Sequence, residues 1–441
     1  MEQTMEEKKI SRVLEEEERK CFDFFWNEVS ESKESYGLIR DNDVKRDMCS
    51  IASVGFGLAG LAVGAERGYV TREDAGERAL GTLKTMKEKT ERVHGFYYHF
   101  LNMEDASRYG KSEVSVIDTA LFIMGALVAG EYFGGECQKL SQELYAEVDW
   151  EWYRDPRGNR FYMGYNEKQG HFGQWDHYAE QFIMYFLGVA APEHPVDPSI
   201  FYDCPLFCDV YKDSGLIYHS YCGALFVYQF SHAFLNLKGK KDRRGIDWYE
   251  NSLRATRAAR QYCIDNPGQK KTYGPNAWGM TACMTPHGYS GGQGALPCFG
   301  NNKNEADGTI PPCGAIGSMP FCPEEVTAAA EHYATIPQLQ GKYGFLDAYN
   351  LDVEPAWFSD RYIGIDKGVS LLMLENYRSG LIWRLTDQNP FEGHVSPGRD
   401  PLHPLRKGSS LLRGQKPRVI LQQNPVSRLR IRVFQHVLPA V

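Results

Sequence analysis

The sequence lacks the features of a membrane protein or a nucleic-acid-binding protein. No uninterrupted hydrophobic run reaches the roughly 20 residues that a membrane-spanning helix needs. The formal net charge is −8 at pH 7, whereas nucleic acids and anionic membranes favour clustered Lys and Arg. Residues 1–8 lack the basic and then apolar pattern of a signal peptide. We therefore expect a cytoplasmic protein, or a periplasmic or secreted one whose signal has been removed, with neither nucleic acid nor membrane as a partner.

Several well-known catalytic signatures are also missing. The sequence contains no HExxH, no phosphate-binding P-loop, no GxSxG and no GxGxxG after a strand. The 11 cysteines are an odd number at irregular spacing, which suits a reducing compartment better than a disulfide framework. Cys204 and Cys208 have no second cysteine pair and no suitably spaced histidine to complete a zinc site. We expect neither a metal nor another cofactor.

Helical patterns dominate what is present, and they alternate between two kinds. Four segments are apolar nearly all round, which predicts helices covered on both sides: 47–67, 113–132, 174–189 and 223–237. Four others carry one apolar face and predict outer helices: 11–29, 71–87, 136–148 and 247–266. Segments 323–336 and 366–385 extend the alternation. The pattern predicts an all-α fold, a single (α/α)6 toroid of six helical hairpins, with long loops at the mouth where the inner helices begin.

Two stretches interrupt the helical pattern. Residues 282–322 are rich in Gly, Pro, Asn and Cys, and a loop of this length is usually functional or mobile. We predict that it forms a lid or a pocket wall, with a surface insertion as the alternative. Residues 391–441 are basic, unlike the acidic body, and show no packed element. We therefore predict one domain over residues 1–390 and a tail over 391–441 that is disordered or foreign to the native frame.

The first candidate site is the stretch 170–187, where a glycine-rich loop enters an apolar helix. A helix that begins near Trp175 would place Asp176 and Glu180 on one face. A simpler interpretation is that the helix dipole favours acids in a first turn. Trp175, His177 and further aromatic residues surround these acids more densely than a solvated cap requires.

The second candidate site is the mouth of the helix predicted over residues 113–132. Ser112 is the predicted N-cap, which would make Glu113 the first helical residue and would place Asp118 more than a turn deeper. Five residues turn a helix through about 140°, so these two acids would not share a face. A carboxylate inside an apolar helix is costly unless it is paired or used, so Asp118 is either functional or bonded to a neighbouring loop.

The two helix mouths together supply the acids that glycoside hydrolysis needs. That reaction uses two carboxyl groups in opposite protonation states. Aromatic and acidic neighbours should raise the pKa of Glu180 and suit it to be the general acid, whereas Glu113, near a helix start, should stay ionised. Asp176 then becomes a support residue. The 26 Tyr, 23 Phe and 8 Trp also suit sugar rings, although core packing explains most Phe equally well.

Further substrate-contact candidates lie elsewhere in the chain. A lone histidine in an apolar segment is more often a core residue than a catalyst, so His232 is either a core residue or a substrate contact. The candidates, including the aromatic residues already named, are Arg40, Asp41, His99, Trp175, His177, His232, Trp278 and Asp366.

Long segments of the chain closely resemble the bacterial glucoamylase-like family, which includes the β-1,2-glucanases of glycoside hydrolase family 144. They include SIASVGFGLAGLAVGAERGYVTREDA, SEVSVIDTALFIMGAL, WDHYAEQFIMYFLG, YGPNAWGMTA and YIGIDKGVSLLMLENYRSGLIWRL, and the match spans roughly residues 24–390. The resemblance implies a six-hairpin toroid and metal-free hydrolysis of β-1,2-glucan to sophorose or short β-1,2-gluco-oligosaccharides. It places the essential acids at Glu113 and Glu180. The basic tail departs from the family pattern.

The sequence therefore predicts a β-1,2-glucanase that acts with inversion, through water activated by a carboxylate directly or through a relay. A related transglycosylase, or a hydrolase of another β-glucan, is the nearest alternative. A non-catalytic carbohydrate-binding toroid, whose acids are caps and core pairs, is the alternative of a different class. The oligomeric state is left open.

Overall fold

The structure, a computed structural model, describes residues 7–301, 304–388 and 420–421. Most of the residues in its regular secondary structure are helical. Within the described residues the α-helices are α1 Arg12–Asn27, α2 Ile51–Glu66, α3 Arg72–Glu88, α4 Val116–Phe133, α5 Gly135–Ala146, α6 Phe182–Ala190, α7 Ser199–Asp203, α8 Phe230–Phe234, α9 Trp248–Asp265, α10 Pro312–Ile316, α11 Pro323–Ala334, α12 Gly364–Arg378 and α13 Leu381–Gln388. Short 3-10 helices cover Leu225–Tyr228, Phe299–Asn301 and Pro337–Leu339.

The helices from α1 to α12 alternate between an outer and an inner layer along the chain. The even-numbered helices form the inner ring: α2 packs on α4 and α12, α4 on α6, α6 on α8, and both α8 and α10 on α12. The outer helix α1 packs on α11 and α12, which joins the first hairpin to the last and closes the ring. The predicted all-α, single (α/α)6 toroid is confirmed.

The inner helices α2 and α4 pack with their backbones in contact. A Cβ added to Gly125 would lie 1.8 Å from the carbonyl oxygen of Gly55, and one added to Gly55 would lie 2.3 Å from the carbonyl oxygen of Leu121. Only glycine fits at this crossing. Among the described helices, α4 alone is long and apolar enough to cross a membrane by length and composition, but it lies mostly buried between α2, α5 and α6. Packing in the toroid accounts for its apolar surface.

Several helix boundaries differ from the predicted ones. Thr71 caps α3 as expected, because its hydroxyl accepts a hydrogen bond from the Asp74 N–H. The helix predicted from residue 174 begins only at Phe182, and the helix predicted over 223–237 is a 3-10 turn followed by the five residues of α8. The segment 366–385 is two helices, separated at Gly380, whose φ of +68° no right-handed helix accommodates.

Short strands fill the loops, and within the described residues they form small separate sheets. The two-stranded sheets pair β1 Met48–Ser50 with β4 Phe100–Asn102, β2 Arg92–Val93 with β3 Phe96–Tyr97, β6 Arg154–Asp155 with β7 Arg160–Phe161, β12 Cys283–Thr285 with β13 Gly288–Ser290, and β15 Gln340–Gly341 with β16 Gly344–Phe345. In each three-stranded sheet one strand lies between two others. These central strands are β8 Gly164–Asn166, between β5 Val114–Ser115 and β9 Gly170–Phe172; β10 Phe207–Asp209, between β11 Ile217–Tyr218 and β19 Ile420–Leu421; and β17 Tyr349–Asn350, between β14 Thr309–Ile310 and β18 Trp357–Phe358.

The two stretches that interrupted the helical pattern have different outcomes. The segment 282–322 contains the β12–β13 hairpin, β14 and α10, and part of it lines a cavity, so it forms a pocket wall. The predicted tail, 391–441, lies outside the described residues except for β19, and the prediction about it stays a prediction.

One end of the toroid is covered by α13, which packs on α4, α8 and α12. The indole N–H of Trp383 donates to the His232 carbonyl at 2.7 Å, and the Asn376 side chain donates to the Ala233 carbonyl at 2.8 Å. These bonds fix the C-terminal ends of α8 and α12. The opposite end, where the inner helices begin, is therefore the mouth of the toroid.

Candidate active site

His99 joins two carboxylates at the mouth. Its Nδ1 lies 2.9 Å from Glu113 Oε1, and its Nε2 lies 3.5 Å from Asp118 Oδ1. The backbone fixes this arrangement, because the His99 N–H donates to the Glu113 carbonyl at 2.9 Å and the Ile51 N–H donates to the His99 carbonyl at 3.2 Å. The strand connection between β3 and β4 thus carries the imidazole to the starts of α2 and α4.

The predicted capping of α4 is wrong by three residues. Ser115, not Ser112, is the N-cap, and its hydroxyl accepts from the Asp118 N–H at 3.3 Å while also bonding the Asp118 carboxyl. Asp118 therefore lies in the first helical turn, and Glu113 precedes β5 instead of starting the helix. Ser112 accepts from the Phe100 N–H at 2.8 Å. Because Glu113 is not helical, the helical angle does not separate it from Asp118, and both reach His99.

The charges at His99 support one another. Burial alone would lower the pKa of His99, but the charge of Asp118, the hydrogen bond with Glu113 and the charges of Glu113 and Asp41 raise it to about 9. For Glu113, burial raises the pKa, and the hydrogen bond and charge of His99 outweigh it, so the pKa of Glu113 is lowered. At neutral pH His99 is therefore an imidazolium and Glu113 is a carboxylate.

Glu180 lies in the irregular segment just before α6. The prediction that Asp176 and Glu180 share a helical face is wrong, because residues 173–181 are not helical. The Ser231 hydroxyl donates to the Glu180 carbonyl at 2.7 Å and fixes the backbone there. The pKa of Glu180 is raised to about 7. Burial is the main cause and the charge of Asp118 adds to it, whereas the backbone N–H of Glu180 acts in the opposite direction. Glu180 is thus a carboxyl group that is about half protonated at neutral pH, where an ordinary glutamate is ionised.

Asp176 and His177 lie at the outer part of the mouth. The Asp176 side chain is 55% exposed, and its carboxylate lies 2.7 Å from His177 Nδ1. This hydrogen bond is the main reason why the pKa of Asp176 is lowered. The exposure and the lowered pKa do not suit Asp176 to donate a proton, and its support role stays a prediction.

Asp366 lies in the first turn of α12 and forms a buried pair with Asp347. Burial and the neighbouring charge of Asp347 raise the pKa of Asp366 well above its usual range, and burial also raises the pKa of Asp347. One oxygen of each carboxyl group, Oδ1 of Asp347 and Oδ2 of Asp366, is buried and has no hydrogen-bond partner among the described residues. We interpret the pair as two carboxyl groups that share a proton. Sequence reasoning missed Asp347, although a lone acid in the apolar stretch 345–349 was a usable signal.

Asp41 connects these groups. Burial raises the pKa of Asp41, the Asn42 side chain and the charge of His99 lower it, and the charge of Asp118 raises it. The Gly364 N–H donates to the Asp41 carbonyl at 2.8 Å, so this residue lies where α12 begins. Acids at the starts of α4, α6 and α12 thus face a single mouth.

Two of the predicted substrate contacts are contradicted by burial. Trp278 has no exposed surface and His232 is 2% exposed, so neither can present a face to a sugar. The ring of His232 bonds the Ser252 hydroxyl at 2.9 Å, and burial lowers its pKa to about 3, which matches the core interpretation. Trp175 is 7% exposed and offers little more than an edge. The guanidinium of Arg40 pairs with Glu28 and also donates to the Arg46 carbonyl at 3.1 Å.

The arrangement can carry out acid and base chemistry. It places Glu180, a carboxyl group whose raised pKa lets it keep a proton up to about neutral pH, in the same concave mouth as the ionised Glu113. Within the described residues, no group of three or more His, Cys, Asp or Glu side chains is arranged to hold a metal ion. The chemistry that these residues offer is therefore proton transfer by paired carboxyl groups.

Comparisons with known proteins point in one direction. The family model described as "Putative glucoamylase" matches residues 173–390. The solved endo-β-1,2-glucanase of Chitinophaga pinensis, in complex with sophorotriose and glucose, is 29% identical with a TM-score of 0.77 over 87% of this chain and 96% of that chain. A "putative glucoamylase" structure from Bacteroides uniformis ATCC 8492 is 28% identical with a TM-score of 0.77, over 88% and 97% of the two chains.

A curated relative matches across most of the chain but extends well beyond it. The exo β-1,2-glucooligosaccharide sophorohydrolase (non-reducing end) of Parabacteroides distasonis is 27% identical over a match 414 positions long, which covers 84% of this chain. The match spans 55% of the length of that relative.

Proposed function

Because the chain belongs to the glucoamylase-like family, we propose that it is a glycoside hydrolase that cleaves β-1,2-glucan to sophorose or short β-1,2-gluco-oligosaccharides. The observation that carries this proposal is the pair of carboxyl groups in opposite protonation states at one mouth. Burial raises the pKa of Glu180 to about 7, so it carries a proton where an ordinary glutamate has lost it, and His99 keeps Glu113 ionised. Glycoside hydrolysis requires this combination.

In the proposed reaction Glu180 is the general acid. It donates its proton to the glycosidic oxygen as the bond from that oxygen to the anomeric carbon breaks, so the leaving sugar departs with a neutral hydroxyl. The Glu113 carboxylate, directly or through a relay, takes a proton from the water whose oxygen attacks the anomeric carbon from the opposite face. The product has inverted configuration, and one proton has moved from Glu180 to the leaving group and one from water to Glu113.

Asp118 and His99 act as positioning residues in this scheme. The imidazolium of His99 holds Glu113 ionised and fixes its orientation through the 2.9 Å contact. Asp118 contacts the other imidazole nitrogen at 3.5 Å, and its charge helps to keep the proton on Glu180. One partly buried charge cluster thus supports different protonation states in the two carboxyl groups that react.

The relatives support the choice of substrate. The Chitinophaga pinensis structure is named an endo-β-1,2-glucanase and the Parabacteroides distasonis protein a β-1,2-glucooligosaccharide sophorohydrolase, so two proteins similar to this chain are named for the same linkage. We infer that this chain acts on β-1,2-linked glucose units.

Incubation with linear β-1,2-glucan is expected to release reducing oligosaccharides, with α-configured product visible by NMR immediately after cleavage. The expectation follows from water attack opposite the departing β-linked oxygen. A panel of β-1,3-, β-1,4- and β-1,6-glucans serves as the control and should give far less product. An initial product of β configuration would show that the reaction proceeds with retention. Transfer products longer than the substrate would favour a transglycosylase. If no glucan gives any product, the protein is better explained as a non-catalytic carbohydrate-binding toroid.

The pH dependence of kcat/KM should show two separate limbs. Glu180 must be protonated to act, so activity is expected to fall as pH rises through its pKa of about 7. Glu113 must be ionised, and since its pKa is lowered, the acidic limb should lie below the usual range of glutamate. Asp118→Asn removes a charge that raises the pKa of Glu180 and should move the basic limb to lower pH. A basic limb that does not move in this variant would remove Asp118 from its proposed role.

A further inference from the structure

Glu180 lies between residues that are anchored in the core. Tyr178 is 2% exposed on one side of it and Gln181 is 1% exposed on the other, whereas Glu180 itself is only partly buried. The ring of Tyr178 stacks on the ring of Trp248, with 5.1 Å between the ring centroids. Within residues 178–182, Glu180 alone therefore has appreciable access to solvent, and its neighbours hold the chain from inside.

The side chain of Gln181 bonds the backbone that leads to Glu180. Its Oε1 accepts a hydrogen bond from the Ala179 N–H at 2.6 Å, and its Nε2 donates to the His177 carbonyl at 2.6 Å. These two groups fix the orientation of the amide, because an N–H can only donate and a carbonyl can only accept. Nε2 also lies 3.7 Å from Cys204 Sγ. Both polar atoms of this buried amide are thus used.

Gln181 occupies the N-cap position of α6, but its side chain does not cap the helix. An N-cap side chain normally accepts a hydrogen bond from the N–H of the second or third helical residue, and Ser, Thr, Asp and Asn are preferred there. The Gln181 side chain makes no such bond. Its carbonyl accepts from the Met184 and Tyr185 N–H groups at 3.0 and 3.2 Å. The main chain of Gln181 therefore starts the helix, while its amide bonds the preceding loop.

A third hydrogen bond holds the backbone on the other side of Glu180. The Ser231 hydroxyl, in the first turn of α8, donates to the Glu180 carbonyl at 2.7 Å. Gln181 thus fixes the two peptide groups between His177 and Ala179, and Ser231 fixes the peptide group that follows Glu180. Because the backbone on both sides determines where a Cβ points, these bonds confine the carboxyl group to a small region of the mouth.

Three titratable groups interact with the charge of Glu180. They are Asp118 of α4, Tyr178 of the same loop and Cys222 of the segment before the 3-10 turn. Burial raises the pKa of Tyr178 well above its usual range and that of Cys222 to about 11, so both groups are neutral where Glu180 titrates. The protonation of Glu180 therefore depends on Asp118 and on how deeply its own carboxyl group is buried.

We propose that Gln181 is a positioning residue for the general acid: its amide holds the loop that carries Glu180, so that the carboxyl group stays where it can donate its proton to the glycosidic oxygen. The inference rests on the proposed glycosidase function and adds to it a residue that touches neither the substrate nor the reacting atoms. Without the amide the loop gains freedom, and the carboxyl group of Glu180 reaches solvent more often. It then ionises at lower pH and is no longer directed at the leaving oxygen.

Gln181→Met keeps the size of the side chain and removes both hydrogen bonds to the loop. It should lower kcat on β-1,2-glucan about 10- to 100-fold, the cost of a misplaced catalytic group, and leave KM nearly unchanged. A carboxyl group that reaches solvent has a lower pKa, so the basic limb of the pH profile should move to lower pH. On 4-nitrophenyl β-sophoroside, whose leaving group needs no protonation, the kcat of the variant should approach that of the wild type.

The double variant Glu180→Gln/Gln181→Met separates positioning from a general structural effect. If Gln181 acts through Glu180, its substitution should lower kcat no further once Glu180 has lost its proton. Gln181→Asn keeps the amide on a side chain that is too short to reach both backbone groups. It should show the same pattern as Gln181→Met, and it provides the test if Gln181→Met does not fold.

Gln138→Met is the matched control, because it removes a 3.1 Å hydrogen bond to Glu131 where α4 turns into α5. It should equal the wild type in kcat and in both limbs of the pH profile. Unchanged kcat in the Gln181 variants, an unmoved basic limb, an equal loss on both substrates or a further loss in the double variant would each overturn the positioning role. If the wild type cleaves neither substrate, the proposed function fails instead, so the wild-type measurement distinguishes the two failures.

Discussion

Replacing Glu180 with glutamine is expected to lower kcat on β-1,2-glucan by about 10²- to 10⁴-fold, the range that general-acid catalysis contributes. The amide cannot donate the proton that the leaving oxygen needs. It keeps the size of the carboxyl group, and the Ser231 bond goes to the Glu180 backbone, so the fold loses no contact that the side chain provides. Thermal unfolding should therefore show a nearly unchanged Tm, and KM should change little.

The matched control for this variant is Glu193→Gln, at an exposed position shortly after α6. It should leave both kcat and Tm unchanged. A leaving group that needs no protonation, such as a nitrophenolate, should restore much of the Glu180→Gln rate, because only the proton donation is missing. A folded Glu180→Gln protein with near-normal activity on the polymer would assign the acid role to another residue.

Replacing Glu113 with glutamine is expected to have the second largest effect, again a loss of about 10²- to 10⁴-fold in kcat, since the base that accepts the water proton is removed. Its pH profile should lose the acidic limb and keep the basic limb that Glu180 sets. The variant also breaks the charged 2.9 Å contact between Glu113 and His99. Because the His99 side chain is 22% exposed and the Glu113 side chain 32% exposed, the variant should lose about 1 kcal/mol of stability.

The comparison with Asp118→Asn decides which carboxylate takes the proton, because both contact His99. If Glu113→Gln keeps the acidic limb and Asp118→Asn loses it, Asp118 is the base and Glu113 the positioning residue. Glu104→Gln, an exposed acid in the loop between β4 and β5, is the control and should match the wild type in both limbs and in Tm.

The fold was largely predictable because the distribution of apolar residues around a helix indicates how much of that helix is buried. The segments that became α2 and α4 are apolar on every side, so each had to be surrounded, and the polar segment after Thr71 had to lie outside. Where helices are short, this signal fails. The segment 223–237 is as apolar as a long buried helix, yet tertiary packing divides it into a 3-10 turn and α8.

The candidate site was predictable in its members and not in its geometry. The directions of the pKa shifts of Glu180 and Glu113 agree with the sequence reasoning, but their causes differ. Asp118, and not the neighbouring Asp176, is the acid whose charge acts on Glu180. His99, and not a helix start, keeps Glu113 ionised. Sequence spacing assumed a helix at both mouths, whereas the described backbone there is a loop and a short strand.

The sequence by itself determined the toroid, the apolar inner helices and the presence of acids where those helices begin, because periodicity and burial are local properties of each segment. Only the tertiary structure decided that His99 lies between Glu113 and Asp118, that Asp347 pairs with Asp366, and that Trp278 and His232 are core residues. These contacts join elements that are distant along the chain. Their energies depend on distances that exist only once the ring of helices has closed.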